Sequence, residues 1–192
     1  MGIVYVVQHG EKQRNPGDPG LTVLGRAQAL LTAKRLRAVD FTGVYASPLR
    51  RARETAEALA SLCGLPVLVD ERLTERMNWD GSVPFERFAG DWERTNADRD
   101  FVPAVGDSSR AAGERFREFL TERETDGPIA VACHGGVTVD LLRTLLGDEA
   151  VPEALLREGV PSGAITTIDG LRPVAIAETG HLAGLATGHR PG

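Results

Sequence analysis

The sequence lacks the features that would direct a protein to a membrane, to an oxidising compartment or to a polyanion. No apolar run is long enough to cross a bilayer, and MGIVYVVQHG lacks the basic start of a signal peptide, so we expect a cytoplasmic protein. Two cysteines, Cys63 and Cys133, are too few for a disulfide framework. A net charge of −5 gives no dominant basic face, so we expect no nucleic-acid or membrane partner.

The sequence also lacks motifs for metals and nucleotide cofactors. Its four histidines have no close ligand spacing, and there is no glycine-rich Walker or dinucleotide motif. We therefore expect neither a metal nor a cofactor. Repeats, low-complexity blocks and linkers are missing too, so 192 residues predict one domain over 1–183 and a flexible tail over 184–192.

What the sequence does contain is an alternation of strand and helix patterns. Three apolar runs stop at a polar motif and continue as a helix: GIVYVV before QHGEK, FTGVYA before SPLRRARETA, and PIAVAC before HGGV. In the second segment we place Ser47 as the helix N-cap and Gly64 as the helix end. Strands are also predicted over LPVLVD, AITTID and PVAIAE, and residues 75–107 are predicted to be irregular. This order predicts an α/β fold with a mainly parallel sheet.

The polar motifs should meet at one edge of that sheet, because ligands bind outside the carboxyl ends of parallel strands. This rule brings His9, Arg51 and His134 together. Helix N-termini and arginine side chains suit phosphate, a neutral imidazole can attack phosphorus, and a second histidine can donate to its oxygens. The leaving oxygen needs a proton, for which Glu75, after LPVLVD, is the best placed carboxyl.

Other interpretations of these residues stay open at this point. Each histidine could simply close a strand or a turn, and the arginines of RRAR could face solvent. The general acid could be another nearby carboxyl, namely Glu11, Glu71 or Asp80. Four aromatic residues fit either a wall of the substrate pocket or a small separate core: Trp79, Phe85, Phe88 and Trp92.

The segments QHGEK, DPGLTVLGRAQA, YASPLRRARETA and CHGGV, in this order, resemble the histidine phosphatase superfamily, which includes phosphoglycerate mutases and acid phosphatases. The resemblance implies a phosphoglycerate mutase-like fold with α/β/α layers. It also implies a metal-independent phosphomonoesterase that acts on a small phosphorylated molecule through a phosphohistidine.

The resemblance assigns a role to each motif residue. It implies that His9 is the nucleophile, that Arg51 and His134 bind the phosphoryl group, and that Glu75 is the general acid. The remaining expected substrate-binding residues are Gln8, Gly10 and Gly135.

Gln8 departs from the family pattern, which has arginine immediately before the first histidine. Glutamine keeps a donor and an acceptor but lacks the charge and the fork of arginine. Three outcomes follow: a slower or narrower phosphatase, replacement of the charge by Arg14 or another basic side chain, or a protein that binds a phosphorylated ligand without turnover. A mutase-type phosphotransferase is a further alternative, and a homodimer is the default assembly.

Overall fold

The computed structural model describes residues 2–123 and 127–185. The first half of this part of the chain contains β1 (Ile3–Gln8), α1 (Val23–Leu36), β2 (Gly43–Ala46), α2 (Arg50–Cys63), β3 (Val67–Val69) and α3 (Phe85–Ala97). The second half contains α4 (Ser109–Glu122), β4 (Ile129–Cys133), α5 (Gly135–Leu146), α6 (Glu153–Glu158), β5 (Ile165–Asp169) and β6 (Arg172–Glu178). None of the helices in the described part has the length and apolar character needed to span a bilayer.

The six strands form one mixed sheet in the order β3-β2-β4-β1-β5-β6. The first four strands of this order run parallel, whereas β5 and β6 each pair antiparallel with their neighbour. The predicted mainly parallel α/β fold is therefore confirmed. Strands β1 and β4 are adjacent and in register up to the pair Gln8 and Cys133, so the residues that follow them, His9 and His134, leave the sheet side by side.

Helices cover both faces of the sheet, which confirms the three-layer α/β/α arrangement. The alternation of side chains along β4 separates the two cores. Ile129 and Val131 pack in a cluster with Phe116 of α4 and Leu141 of α5. Ala130 and its neighbours on the opposite face pack in a second cluster with residues of α1 and α2. The small residues of this second face let α1 and α2 lie close to the strand ends that carry the polar motifs.

Two local predictions are wrong. Ser47 is not the N-cap of α2, because the helix begins at Arg50 with Leu49 as an N-cap that has no side-chain hydrogen bond. The Ser47 hydroxyl lies 2.7 Å from His134 Nε2 instead. The stretch over 75–107 is not irregular throughout, since it contains α3, whose phenylalanine and tryptophan spacing builds an amphipathic helix. Gly64 does end α2, in the left-handed conformation at φ 68°.

The domain boundaries stay a prediction. The structure tests neither the single domain over 1–183 nor the flexible tail, of which residues 186–192 lie outside the described part. The cysteines differ in environment: Cys133 is buried, and Cys63 is only half-buried.

Gly10 is required where the loop after β1 crosses the start of α1. A Cβ on Gly10 would collide with the Gly25 carbonyl group, and a Cβ on Gly25 would collide with the Glu11 carbonyl group. The two backbones are thus in direct contact. Thr22 reinforces this contact, since its hydroxyl donates to the Glu11 carboxylate at 2.6 Å and accepts from the Gly25 amide at 3.0 Å.

We expect Gly10→Ala to lower the free energy of unfolding by about 1–3 kcal/mol, the usual cost of forcing an extra methyl group into a packed contact. Gly90→Ala is the matched control, because a Cβ at this position in α3 meets nothing within 4 Å. That change should stabilise the helix by about 0.5–1 kcal/mol. Urea unfolding of both variants checks the prediction, and equal stability of Gly10→Ala and the wild type would contradict it.

Candidate active site

His9 is held in a single tautomer at the carboxyl end of β1. Its Nδ1 lies 2.6 Å from the Gly10 carbonyl oxygen, and the Arg51 Nε–H group donates to its Nε2 at 3.2 Å. A carbonyl oxygen only accepts, so the ring proton is on Nδ1 and the lone pair is on Nε2. The Gly10 amide donates to the Thr55 hydroxyl at 3.2 Å, and the Glu11 amide, in the same peptide as the carbonyl that orients the ring, donates to Gln28 Oε1 at 2.8 Å.

The environment of His9 keeps the imidazole neutral. Burial, followed by the Arg51 charge, lowers the pKa of His9 from 6.5 to about 3. Near neutral pH the ring therefore carries an unprotonated Nε2, which is the form needed for attack on an electrophile.

Arg51 lies in the first turn of α2 and is only 3% exposed. Its Nη2 donates to Asn78 Oδ1 at 3.1 Å, and the Asn78 amide nitrogen donates to the Gly17 carbonyl at 2.8 Å. Its Nη1 is buried and has no partner among the described residues. Burial lowers the pKa of Arg51 without removing its charge. An unpartnered donor on a buried cation is suited to an oxyanion.

His134 follows β4 and is fully buried, with its ring centroid 5.2 Å from that of His9. The Ser47 hydroxyl accepts from the Leu49 amide at 3.3 Å and lies 2.7 Å from His134 Nε2, to which it donates in the His134 tautomer that carries its proton on Nδ1. This Nδ1 is buried and lacks a partner in the described part of the chain. Burial, with smaller effects of the Arg51 and His9 charges, lowers the pKa of His134. A neutral His134 still offers one N–H donor.

Glu75 occupies the N-terminus of α5. Its Oε1 accepts from the amides of Val137 at 2.7 Å and Arg76 at 2.8 Å, and its Oε2 accepts from the Gly136 amide at 3.0 Å. A Cβ on Gly136 would collide with this carboxylate and with Trp92. These three hydrogen bonds fix the position of the carboxylate. The N-terminus of α5, which by itself suits a phosphate, is thus already occupied by Glu75 at the Gly136 and Val137 amides.

A buried ion pair fixes the backbone next to Glu75. Arg76 Nη1 donates to Asp140 Oδ1 at 2.9 Å, with the two side chains 1% and 0% exposed. Ser109 donates to the same oxygen at 2.6 Å, and the Arg76 guanidinium stacks 4.3 Å from the centroid of the Trp92 ring. Burial raises the pKa of Asp140 to about 6, which leaves the carboxylate ionised at neutral pH.

The pocket in front of these residues has a volume of about 280 Å³. His9, Arg51 and Glu75 line it on the sheet side. All four aromatic residues of the sequence analysis line it as well, so they form a pocket wall: Trp79, Phe85, Phe88 and Trp92. Sequence reasoning missed three further polar lining residues: Lys12, Asn15 and Asn78. Lys12 and Asn15 lie in the segment QHGEKQRN, within six residues of His9, and this closeness in the chain could have indicated that they line the pocket.

Gln8 is buried beside the same strand ends. Its Oε1 has no partner among the described residues, and its Nε2 lies 3.5 Å from the position that a Cβ on Gly135 would take. Gln8 does not line the pocket, and neither does His134. The structure therefore brings His9, Arg51, His134 and Glu75 together, and it places the Gln8 carboxamide against the turn after His134.

Fold and site together define an α/β protein with a histidine-centred anion pocket at the carboxyl edge of its sheet. The family model of the histidine phosphatase superfamily (branch 1) matches residues 4–171. The chain belongs to this superfamily.

Curated relatives and solved structures extend the comparison. A probable phosphoglycerate mutase of Escherichia fergusonii is 32% identical over 174 residues, which cover 80% of this chain and 79% of the relative. A glucosyl-3-phosphoglycerate phosphatase of Mycolicibacterium vanbaalenii is 31% identical over 75% of this chain and 74% of the relative. The solved complex of a mycobacterial glucosyl-3-phosphoglycerate phosphatase with inorganic phosphate is 28% identical, with a TM-score of 0.70 over 87% of this chain and 89% of that one.

We expect the His9 ring to remain neutral across the range in which histidines normally titrate. Its nuclear magnetic resonance signals, assigned with His9→Asn, should not move between pH 8 and pH 5, because the folded pKa is about 3. The unfolded chain takes up a proton near pH 6.5 that the folded chain refuses, so this group reduces stability as the pH falls from 6.5 towards 3. The loss of unfolding free energy on acidification should be smaller in His9→Asn than in the wild type. A titration midpoint of the His9 signals near pH 6.5 would contradict the prediction.

Proposed function

We propose that the protein is a metal-independent phosphomonoesterase that acts on a small phosphorylated molecule through a phosphohistidine at His9. The observation that carries this proposal is the fixed tautomer of His9, whose Nε2 lone pair lies beside the Arg51 guanidinium. A neutral nitrogen nucleophile next to a buried cation is the combination that attack on a phosphoryl group requires.

In the first step, the Nε2 lone pair of His9 forms a bond to phosphorus while the ester P–O bond breaks. The Nη1–H group of Arg51 donates to the phosphoryl oxygens, on which charge accumulates. His134 lies outside the pocket lining, and its Nδ1–H group is the second donor to these oxygens in the tautomer that accepts from Ser47. The leaving oxygen takes a proton from Glu75 and departs as an alcohol. Because the free carboxylate is stabilised by three amides, we propose that a monoanionic phosphomonoester supplies this proton on binding.

In the second step, water attacks phosphorus and the N–P bond breaks, which returns the electron pair to His9 Nε2. The proton released by the water passes to Glu75, whose carboxylate lines the pocket on the side of His9. Inorganic phosphate then leaves. Positioning and charge supply the rate enhancement in this scheme, and no metal or cofactor takes part.

One observation favours a second candidate function, a protein that binds a phosphorylated ligand without turnover. The buried Gln8 carboxamide brings no charge to the pocket. A phosphoglycerate mutase-type transfer is the third alternative, supported by the name of the Escherichia fergusonii relative. We rank hydrolysis first, because solved relatives of which this chain covers 89% are glucosyl-3-phosphoglycerate phosphatases.

We expect the purified protein to hydrolyse one or more members of a phosphomonoester panel with chelator present. His9→Ala should lose at least about 10³-fold in kcat, because the variant has no nucleophile for the first step. Release of inorganic phosphate measures the turnover, and quenching in alkaline detergent preserves the acid-labile phosphoenzyme for measurement. Equal activity of His9→Ala and the wild type would refute the phosphohistidine. Binding of phosphate by both proteins without turnover would favour the second candidate function.

Gln8→Arg should raise kcat on a generic phosphomonoester by about 10-fold, since it restores a charge and a fork that bind transferred phosphoryl groups. Gln8→Met is the control, because methionine has a similar length but adds neither the charge nor the forked donor group of arginine. Thermal melts of both variants check that the buried position accepts the new side chain. Unchanged or lower activity in a folded Gln8→Arg protein would show that Gln8 is not a deficit.

A further inference from the structure

The proposed phosphatase step leaves a charge to be accounted for. A phosphomonoester brings up to two negative charges into a pocket that already contains the Glu75 carboxylate. Arg51 supplies one buried positive charge. Gln8 supplies none, so a second cation should stand within reach of the phosphoryl oxygens.

Lys12 is the other cationic side chain that lines the pocket of His9 and Arg51. Its backbone is fixed three residues after the nucleophile, because Lys12 forms an antiparallel bridge with Leu21 and the next amide donates to the Gly20 carbonyl at 2.9 Å. Arg14, the basic residue that sequence reasoning put forward, does not line the pocket. The bridge therefore directs the stem of Lys12, and not that of Arg14, to the reacting groups.

The charge of Lys12 is available to an incoming anion. No described carboxylate forms an ion pair with its ammonium group, in contrast with Arg50 and Arg76, which pair with Glu54 and Asp140. Burial, followed by the charges of Arg51 and Arg14, lowers the pKa of Lys12. The charge of Lys12 also contributes to the lowered pKa of His9. Both effects are those of a cation close to the nucleophile.

We propose that the Lys12 ammonium group contacts a phosphoryl oxygen of the bound ligand and supplies the positive charge that Gln8 lacks. An ammonium is a compact point charge with three donors, which suits it to phosphate. The flexible stem lets it follow the phosphoryl group from substrate to phosphohistidine. This assignment rests on the proposed function only in placing a phosphoryl group at His9, and the binding of phosphate tests it without turnover.

The composition of the chain provides a direct readout. Lys12 and Lys34 are its only lysines, and Lys34 lies in the last turn of α1, away from the pocket lining. Reductive ¹³C-methylation keeps the charge of both side chains and makes each visible by nuclear magnetic resonance. Titration with inorganic phosphate should shift the Lys12 signal in a saturable manner and leave the Lys34 signal unmoved. Saturable phosphate binding that moves neither signal would overturn the proposal.

Matched variants test the energetic contribution. Lys12→Met should weaken the affinity for inorganic phosphate about 10-fold, whereas Lys34→Met, which removes the same charge at a distance, should change it less than about 2-fold. Where turnover is measurable, Lys12→Met should lower kcat/KM about 10- to 100-fold. Equal effects of the two variants, or a loss confined to Arg14→Met, would overturn the proposal.

The double variant separates this proposal from the proposed function. If Lys12 supplies the charge that Gln8 lacks, Lys12→Met in a Gln8→Arg background should weaken the affinity for inorganic phosphate less than about 3-fold, because the new arginine already supplies that charge. An undiminished loss of phosphate affinity in the Gln8→Arg background would show that Lys12 acts independently of position 8. It would overturn the proposal that Lys12 supplies the charge that Gln8 lacks. Absence of turnover in the wild type refutes the phosphatase alone, since the phosphate affinities of the two lysine variants still decide the role of Lys12.

Discussion

The hydrogen bond from His9 Nδ1 to the Gly10 carbonyl oxygen is the interaction on which the candidate site depends. It fixes the ring proton on Nδ1 and therefore leaves the lone pair on Nε2, which accepts from Arg51 Nε at 3.2 Å. The peptide of this carbonyl is held from two sides, by the Gln28 side chain, whose Oε1 accepts from the Glu11 amide at 2.8 Å, and by the contact of the Glu11 backbone with Gly25. The glycine pair is thus a requirement of the chemistry as much as of packing.

The second constraint is the shared use of the N-terminus of α5. A helix N-terminus after a histidine and two glycines is a ready site for an external anion. In this protein an internal anion, Glu75, binds the Gly136 and Val137 amides. Those two amides are therefore closed to an external anion, and the buried Nη1–H group of Arg51, which lines the pocket, has no partner among the described residues. Glu75 gains a fixed position from the same contacts.

The sequence was sufficient for the fold and for the convergence of His9, Arg51 and His134 at one edge of the sheet, and it missed the lining residues Lys12, Asn15 and Asn78. Apolar runs that end at His9 and His134 define neighbouring parallel strands, and Gly64 defines a helix end, because these signals are local. Ser47 was misassigned because a serine before a proline is a normal helix cap, whereas its real partner, His134, is 87 residues away in the chain. The binding of Glu75 to the amides of α5 is equally non-local, so no pattern of neighbouring residues in the sequence predicts it.

The charge balance of the pocket links the unusual residue at position 8 to the rest of the site. In the free protein the Glu75 and Asp18 carboxylates both favour the charged form of Arg51, so this cation is partly compensated before a ligand arrives. A phosphoryl group therefore meets less positive charge than a count of cationic residues implies. An arginine in place of Gln8 would correct this from inside the fold, where its desolvation is costly. A lysine on the fixed loop after His9, such as Lys12, would correct it from the pocket lining. The chain can thus bury a neutral residue at position 8 and still present two cations to a phosphoryl group.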